Sequence, residues 1–195
     1  NIGAGDVFTG GAGTNTIDLG SEPAEDQWDV LCVNSDNTIT TPDGFDAQVS
    51  PVGNQGAYLF TRHAAGDEGQ TVEIAPSGAG NTAVTWVRLP ASVLAVDVHP
   101  AAAQADASAG TSTPAYDSGA LSTTGQMFLA FAALHRLGAT AQNTPVWDDD
   151  YISVFDVPVF AGSGVTAATG FVAYKDGVGT AAQTPQVSWS GDSVF

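Results

Sequence analysis

The chain has 195 residues and a formal net charge of −17, with 21 Asp and Glu against 4 Lys and Arg. Phosphate backbones and anionic membrane surfaces demand clustered cations, and Arg62, Arg88, Arg136 and Lys175 lie far apart, which argues against both as partners. A hydrophobic content of 43% supplies a core, while the 23 Gly and the abundant Ala, Thr and Asp favour turns and strand surfaces over helix faces. The expected class is therefore all-β, at a length that suits one large β-sandwich or two small ones. Cys32, the single cysteine, rules out an intrachain disulfide and reads as a small buried hydrophobe inside Asp29-Val30-Leu31-Cys32-Val33. No apolar run reaches the length of a membrane-spanning helix, so membrane insertion is not expected. The start at Asn1, without Met or a charged leader, reads as a mature or excised piece of something longer.

In chain order, the Gly-rich residues 1–13 read as a flexible segment. A first β-sandwich unit is expected over residues 14–100. Its strands fall at Thr14–Leu19, Trp28–Val33, Ala57–Thr61, Thr71–Ala75, Thr82–Leu89 and Ser92–Val98. Turns are placed by Pro42-Asp43-Gly44 and Pro76-Ser77-Gly78, and Pro90 and Pro100 bracket the last strand as a sheet edge. Residues 101–124 carry few large apolar side chains and read as a long surface connection, a crossover or an arm lying on a neighbouring subunit. Residues 125–195 form the second unit, packed on the first. Within it, Gln126–Leu137 fits either a helical stripe or a strand by periodicity alone.

An internal echo resolves that ambiguity. At a constant offset of 113, Tyr58-Leu59-Phe60-Thr61-Arg62 falls on Phe171-Val172-Ala173-Tyr174-Lys175. Without a gap, Gly66, Gln70-Thr71 and Ser77-Gly78 then meet Gly179, Gln183-Thr184 and Ser190-Gly191. Upstream, Thr41-Pro42 with Phe45-Asp46 is echoed by Thr144-Pro145 with Trp147-Asp148. Each Thr-Pro turn follows an apolar run, so if Val30–Val33 is a strand, Met127–Leu134 is one too. The expected fold is an antiparallel, jelly-roll-like β-sandwich built from two degenerate repeated units. The second unit reaches Phe195 where the counterpart of Thr82–Leu89 would begin, so either the chain is truncated there or a neighbouring strand replaces the missing one.

Patterns for catalysis are missing: no Gly-x-Ser-x-Gly elbow, phosphate-cradling loop or dinucleotide fingerprint occurs. His63, His99 and His135 show no metal-ligand spacing. The chain is expected to be no enzyme, with no catalytic residues and no cofactor. Asp148, Asp149 and Asp150 are the one calcium candidate, though adjacent carboxylates converge only in a turn and otherwise form a solvated acidic face. Phe45 and Trp147 either plug the ends of their half-cores or stand exposed to stack on a ligand. Arg62 and Lys175 read as strand-end residues pairing with nearby Asp. For a glycan site, Trp28, Trp86, Trp147 and Trp189 are the candidate platforms.

The order Glu25-Asp26-Gln27-Trp28-Asp29-Val30-Leu31, Ile39-Thr40-Thr41-Pro42-Asp43-Gly44-Phe45, Tyr58-Leu59-Phe60-Thr61-Arg62 and Asp67-Glu68 resembles β-sandwich domains of tailed-phage virion proteins. These are of the minor-tail, tail-fibre or capsid-decorating type. Phe45 stands where that family commonly has Trp, and Asp43 where it often has a small residue. The resemblance implies a structural virion domain, located in the virion, whose partners are other virion proteins, copies of itself and host-surface glycans. The alternative is an extracellular carbohydrate-binding or cell-surface adhesion module.

Overall fold

The computed structural model describes residues 2–3, 7–10, 13–50, 56–93, 95–96, 118, 120, 127–137, 146–148, 150–154, 159–161 and 166–188. Among these every regular element is a strand, every paired ladder is antiparallel, and no sheet closes into a barrel. With no helix among them, none is long and apolar enough to cross a membrane.

The centre is β4 (Trp28–Ser35), buried along nearly its whole length. It pairs on one side with β7 (Gly56–His63) and on the other with β9 (Gly80–Leu89), so Val33 lies between Tyr58 and Val84. A strand covered on both faces reads as a continuous apolar run rather than an alternating one, which is the pattern of this segment. Beyond β7 lies β6 (Asp46–Val49), exposed and bulged between Ala47 and Val49. The far edge of β9 is taken by β1 (Ile2–Gly3) and β2 (Val7–Gly10). The Gly-rich start, expected as a flexible segment, thus supplies two strands where it is described. Backbone pairing needs no side chain, and the edge of a buried strand leaves N–H and C=O groups that must be satisfied.

Alternation along this sheet sends two sets of apolar side chains in opposite directions. Leu31, Val33, Tyr58, Phe60, Val84 and Trp86 share one core with residues of β3 (Asn15–Asp18), β5 (Ile39–Thr40) and β8 (Thr71–Pro76). These three strands form a small sheet in the order β3-β8-β5. Val30, Val87 and Leu89 face the other way and pack with Val172, Met127, Leu129 and Phe131. Those four belong to β10 (Met127–Leu137) and β14 (Thr166–Asp176), which pair along their full lengths. The run left open by periodicity therefore resolves as a strand over Met127–Leu137, with Gln126 outside the described residues. β12 (Ile152–Ser153) and β13 (Val159–Ala161) pair with the other edge of β14. On the far face of this sheet a third core joins Ala130, Tyr151 and Ala173 to Phe128 and Trp147. Beside it β11 (Val146–Trp147) pairs with β15 (Val187–Ser188).

Residues of Ser92–Val98 that are described form no strand. Val93 N–H donates to Pro90 O in a turn, because Pro90 has no N–H to continue the ladder. Val93 and Val96 still pack against the second core, and Trp28 Nε1 donates to Val93 O at 3.2 Å. Apolar content there reports burial without pairing. Of the long connection 101–124, only Ser118 and Ala120 lie within the described residues. Ser118 is tied to the second half by two bonds with Gln183, at 3.0 and 2.9 Å.

The two large sheets approach closely at Gly170, where an added Cβ would lie 3.0 Å from Thr85 Cγ2. Thr85 cannot retreat easily, since it and its cross-strand neighbour Cys32 are both buried; burial also pushes the Cys32 thiol up to about 12. Gly170→Val is expected to cost about 1–3 kcal/mol through overpacking, seen as a lower urea midpoint. An unchanged midpoint would mean that the sheets do not meet at this point.

Candidate functional site

Two β-turns place the side chains of interest. In the first, Phe45 N–H donates to Pro42 O at 3.1 Å and Gly44 has φ 77. In the second, Tyr151 N–H donates to Asp148 O at 3.1 Å and Asp150 has φ 63. A positive φ at the third turn position is the requirement of a type II-like turn, met freely by Gly and tolerated by Asp. Each turn delivers a buried aromatic under the cation that closes the neighbouring long strand. The Arg62 guanidinium lies 4.6 Å from the Phe45 ring centroid, and Lys175 Nζ lies 5.3 Å from that of Tyr151.

Strand registers match in the same way. Thr40 pairs with Ala75 and Asp46 with Thr61, while Val146 pairs with Ser188 and Ile152 with Tyr174. The counterpart of Phe45 is therefore Tyr151, not Trp147 as the Thr-Pro echo suggests. In the second half the chain makes its short ladder after Thr144-Pro145, and the turn follows four residues later than the motif implies. Of the two expected stacking residues, Phe45 is buried and Trp147 is half-buried. Phe45 is 6% exposed beneath Arg62, and Trp147 packs in the third core with its Nε1 buried.

The Arg62 side chain belongs to a buried charged row at the end of the first core. Its Nη2 donates to Asp29 Oδ2 at 2.6 Å, and Arg88 donates to the same carboxylate from Nε at 2.6 Å and Nη2 at 3.2 Å. Arg88 Nη1 also reaches Ser21 O at 2.7 Å. Cross-strand pairing dictates the row, since Asp29 sits directly opposite Arg62 on one side and Arg88 on the other. Opposite Lys175 stands Phe128 instead of a carboxylate. The sequence reading assigns Arg62 a nearby Asp but misses Asp29 and Arg88. The signal was present: charged residues inside otherwise apolar strands are buried only when paired.

Above Arg62 opens a cleft of about 530 Å³ between the turn Thr41–Gly44 and the outer face of the small sheet. Thr14, Thr40, Thr71 and Glu73 line its sheet side, and Asp43, Asp67 and Glu68 its loops. Glu68 holds its loop by accepting N–H bonds from Ala65, Gly66 and Asp67 at 2.5, 3.0 and 3.1 Å. Partial burial works against its charge, but these bonds and the Arg62 charge prevail and keep its carboxyl below the ordinary range.

Of the acidic triple, only Asp148 and Asp150 lie within the described residues, with Asp149 outside them. Asp148 Oδ1 accepts Gln186 N–H at 2.7 Å, and Asp150 is an exposed turn residue. Among the described residues no three His, Cys, Asp or Glu side chains are placed to hold a metal ion. His63 stands near Asp26 at 3.6 Å with both side chains exposed; His99 and the side chain of His135 lie outside the described residues. No protein-family model, curated protein or solved structure matches the chain.

Proposed function

We propose that this chain is a structural domain of a tailed-virus particle, in the tail or on the capsid, that works by contact between subunits and not by catalysis. The observation that carries the assembly reading is the exposure of Val146 (63%) and Ile152 (53%) on the short strands β11 and β12. Their register counterparts in the first half are Thr40 and Asp46, both exposed and polar. A single exposed apolar residue is ordinary. A pair whose counterparts are polar fits a surface covered by another copy of the chain. The particle assignment rests on the resemblance of most of the chain, from about Asp26 onward, to virion β-sandwich domains.

The fold fits a pair of degenerate, jelly-roll-like sandwich units. Supporting this reading are the two matching turns, the matching registers and the aromatic–cation pair at each strand end. The test exchanges residues between the halves. By light scattering the protein is expected to self-associate, and the double variant Val146→Thr, Ile152→Asp to be monomeric with an unchanged melting temperature. In purified particles the chain is expected in stoichiometric copies. A wild-type monomer at every concentration would overturn the assembly reading. A glycan-binding role is the second reading, and the cleft over Arg62 favours it more than the tryptophans do. Trp86 is buried, Trp28 is half-buried and bonded to Val93, and Trp189 lies outside the described residues.

A further inference from the structure

We propose that the cleft above Arg62 is a binding site for a neutral saccharide. The inference begins with a buried guanidinium whose donors are mostly unspent. Arg62 is 4% exposed, yet among the described residues its one hydrogen bond is that from Nη2 to Asp29. Its Nε is buried without a partner. A guanidinium carries five N–H donors, and leaving them unmade in a buried side chain costs free energy. Arg62 lines the cleft, so an acceptor seated there meets a guanidinium with N–H donors to spare. The volume of about 530 Å³ is in the range of small-ligand sites.

The rest of the lining selects the ligand. The carboxylates of Asp43, Asp67 and Glu73 accept no hydrogen bond from the described residues, whereas that of Glu68 is committed to its loop. Thr40 and Thr71 are exposed and offer hydroxyls that donate and accept. A ligand must therefore accept from the guanidinium and donate to carboxylates in the same small space. An anion satisfies Arg62 but is repelled by the surrounding carboxylates. A cation satisfies the carboxylates but leaves the Arg62 donors unmet and faces its charge. A neutral hydroxyl does both, and a sugar ring presents several at fixed spacing. This site shares no residue with the Val146 and Ile152 surface, so it stands or falls independently of the assembly reading.

The experiment is a glycan array carrying neutral, amino and acidic oligosaccharides, with the retained glycans then titrated calorimetrically against the full chain. Neutral glycans are expected to bind and sialylated or uronic ones to be rejected. The variant Glu73→Gln, Thr40→Val changes two exposed side chains and is expected to keep the melting temperature while weakening binding about tenfold. The variant Val146→Thr, Ile152→Asp is expected to keep the per-site affinity. Retention of no neutral glycan, preference for acidic or amino glycans, or full affinity in the cleft variant would each overturn the proposal.

Discussion

Asp29→Ala is expected to destabilise the protein by about 3–5 kcal/mol, because it strands two buried guanidinium groups without their shared carboxylate. Arg62 and Arg88 are 4% and 2% exposed, so water cannot take over the solvation that Asp29 supplies. The row bridges β7, β4 and β9, and its loss acts on the three central strands together. Urea unfolding measures the loss directly. A triple variant carrying Asp29→Leu, Arg62→Leu and Arg88→Met is expected to recover most of it, since an apolar row needs no charge compensation. A cost below about 1 kcal/mol for Asp29→Ala would show that the row is solvated and contributes only as a surface ion pair does.

Phe45→Ala carries the other large effect, about 3–5 kcal/mol, as expected for removing a buried ring from a packed core. The ring also supports Arg62 from its face, so the variant removes a cation–π contact along with core volume. Phe45→Leu is expected to restore much of the packing but not that contact, leaving a smaller deficit. Thermal unfolding separates the two terms. A surface stacking residue would behave differently: its removal would leave the melting temperature unchanged and reduce ligand binding alone.

Strand positions were largely legible because alternation and turn chemistry are local. Thr71-Val72-Glu73-Ile74 announces one buried and one solvated face, and Pro42-Asp43-Gly44 announces its turn. At the offset of 113 between Tyr58–Arg62 and Phe171–Lys175, Thr61 and Tyr174 each take a short-strand partner, Asp46 and Ile152. The motif echo misled where it ignored ladder length. It paired Phe45 with Trp147, although the turn that buries the second aromatic ends at Tyr151. Ser92–Val98 misled for a related reason, as apolar residues pack against a core with or without a ladder.

The Gly-rich start shows where the limit lies. Composition speaks of conformational freedom, but pairing with β9 depends on an open edge that exists only after β4 and β9 have met. The same limit applies to function. Asp29, Arg62 and Arg88 are spread along the chain, and nothing near any of them names the other two. By itself the sequence determined the all-β class, the acidic charge and most strands. Only the tertiary structure decided which charges are buried together, which aromatic lies under which cation, and where the cleft opens. Local pattern governs how a strand divides its faces between core and water, whereas neighbours across a sheet come from long-range pairing.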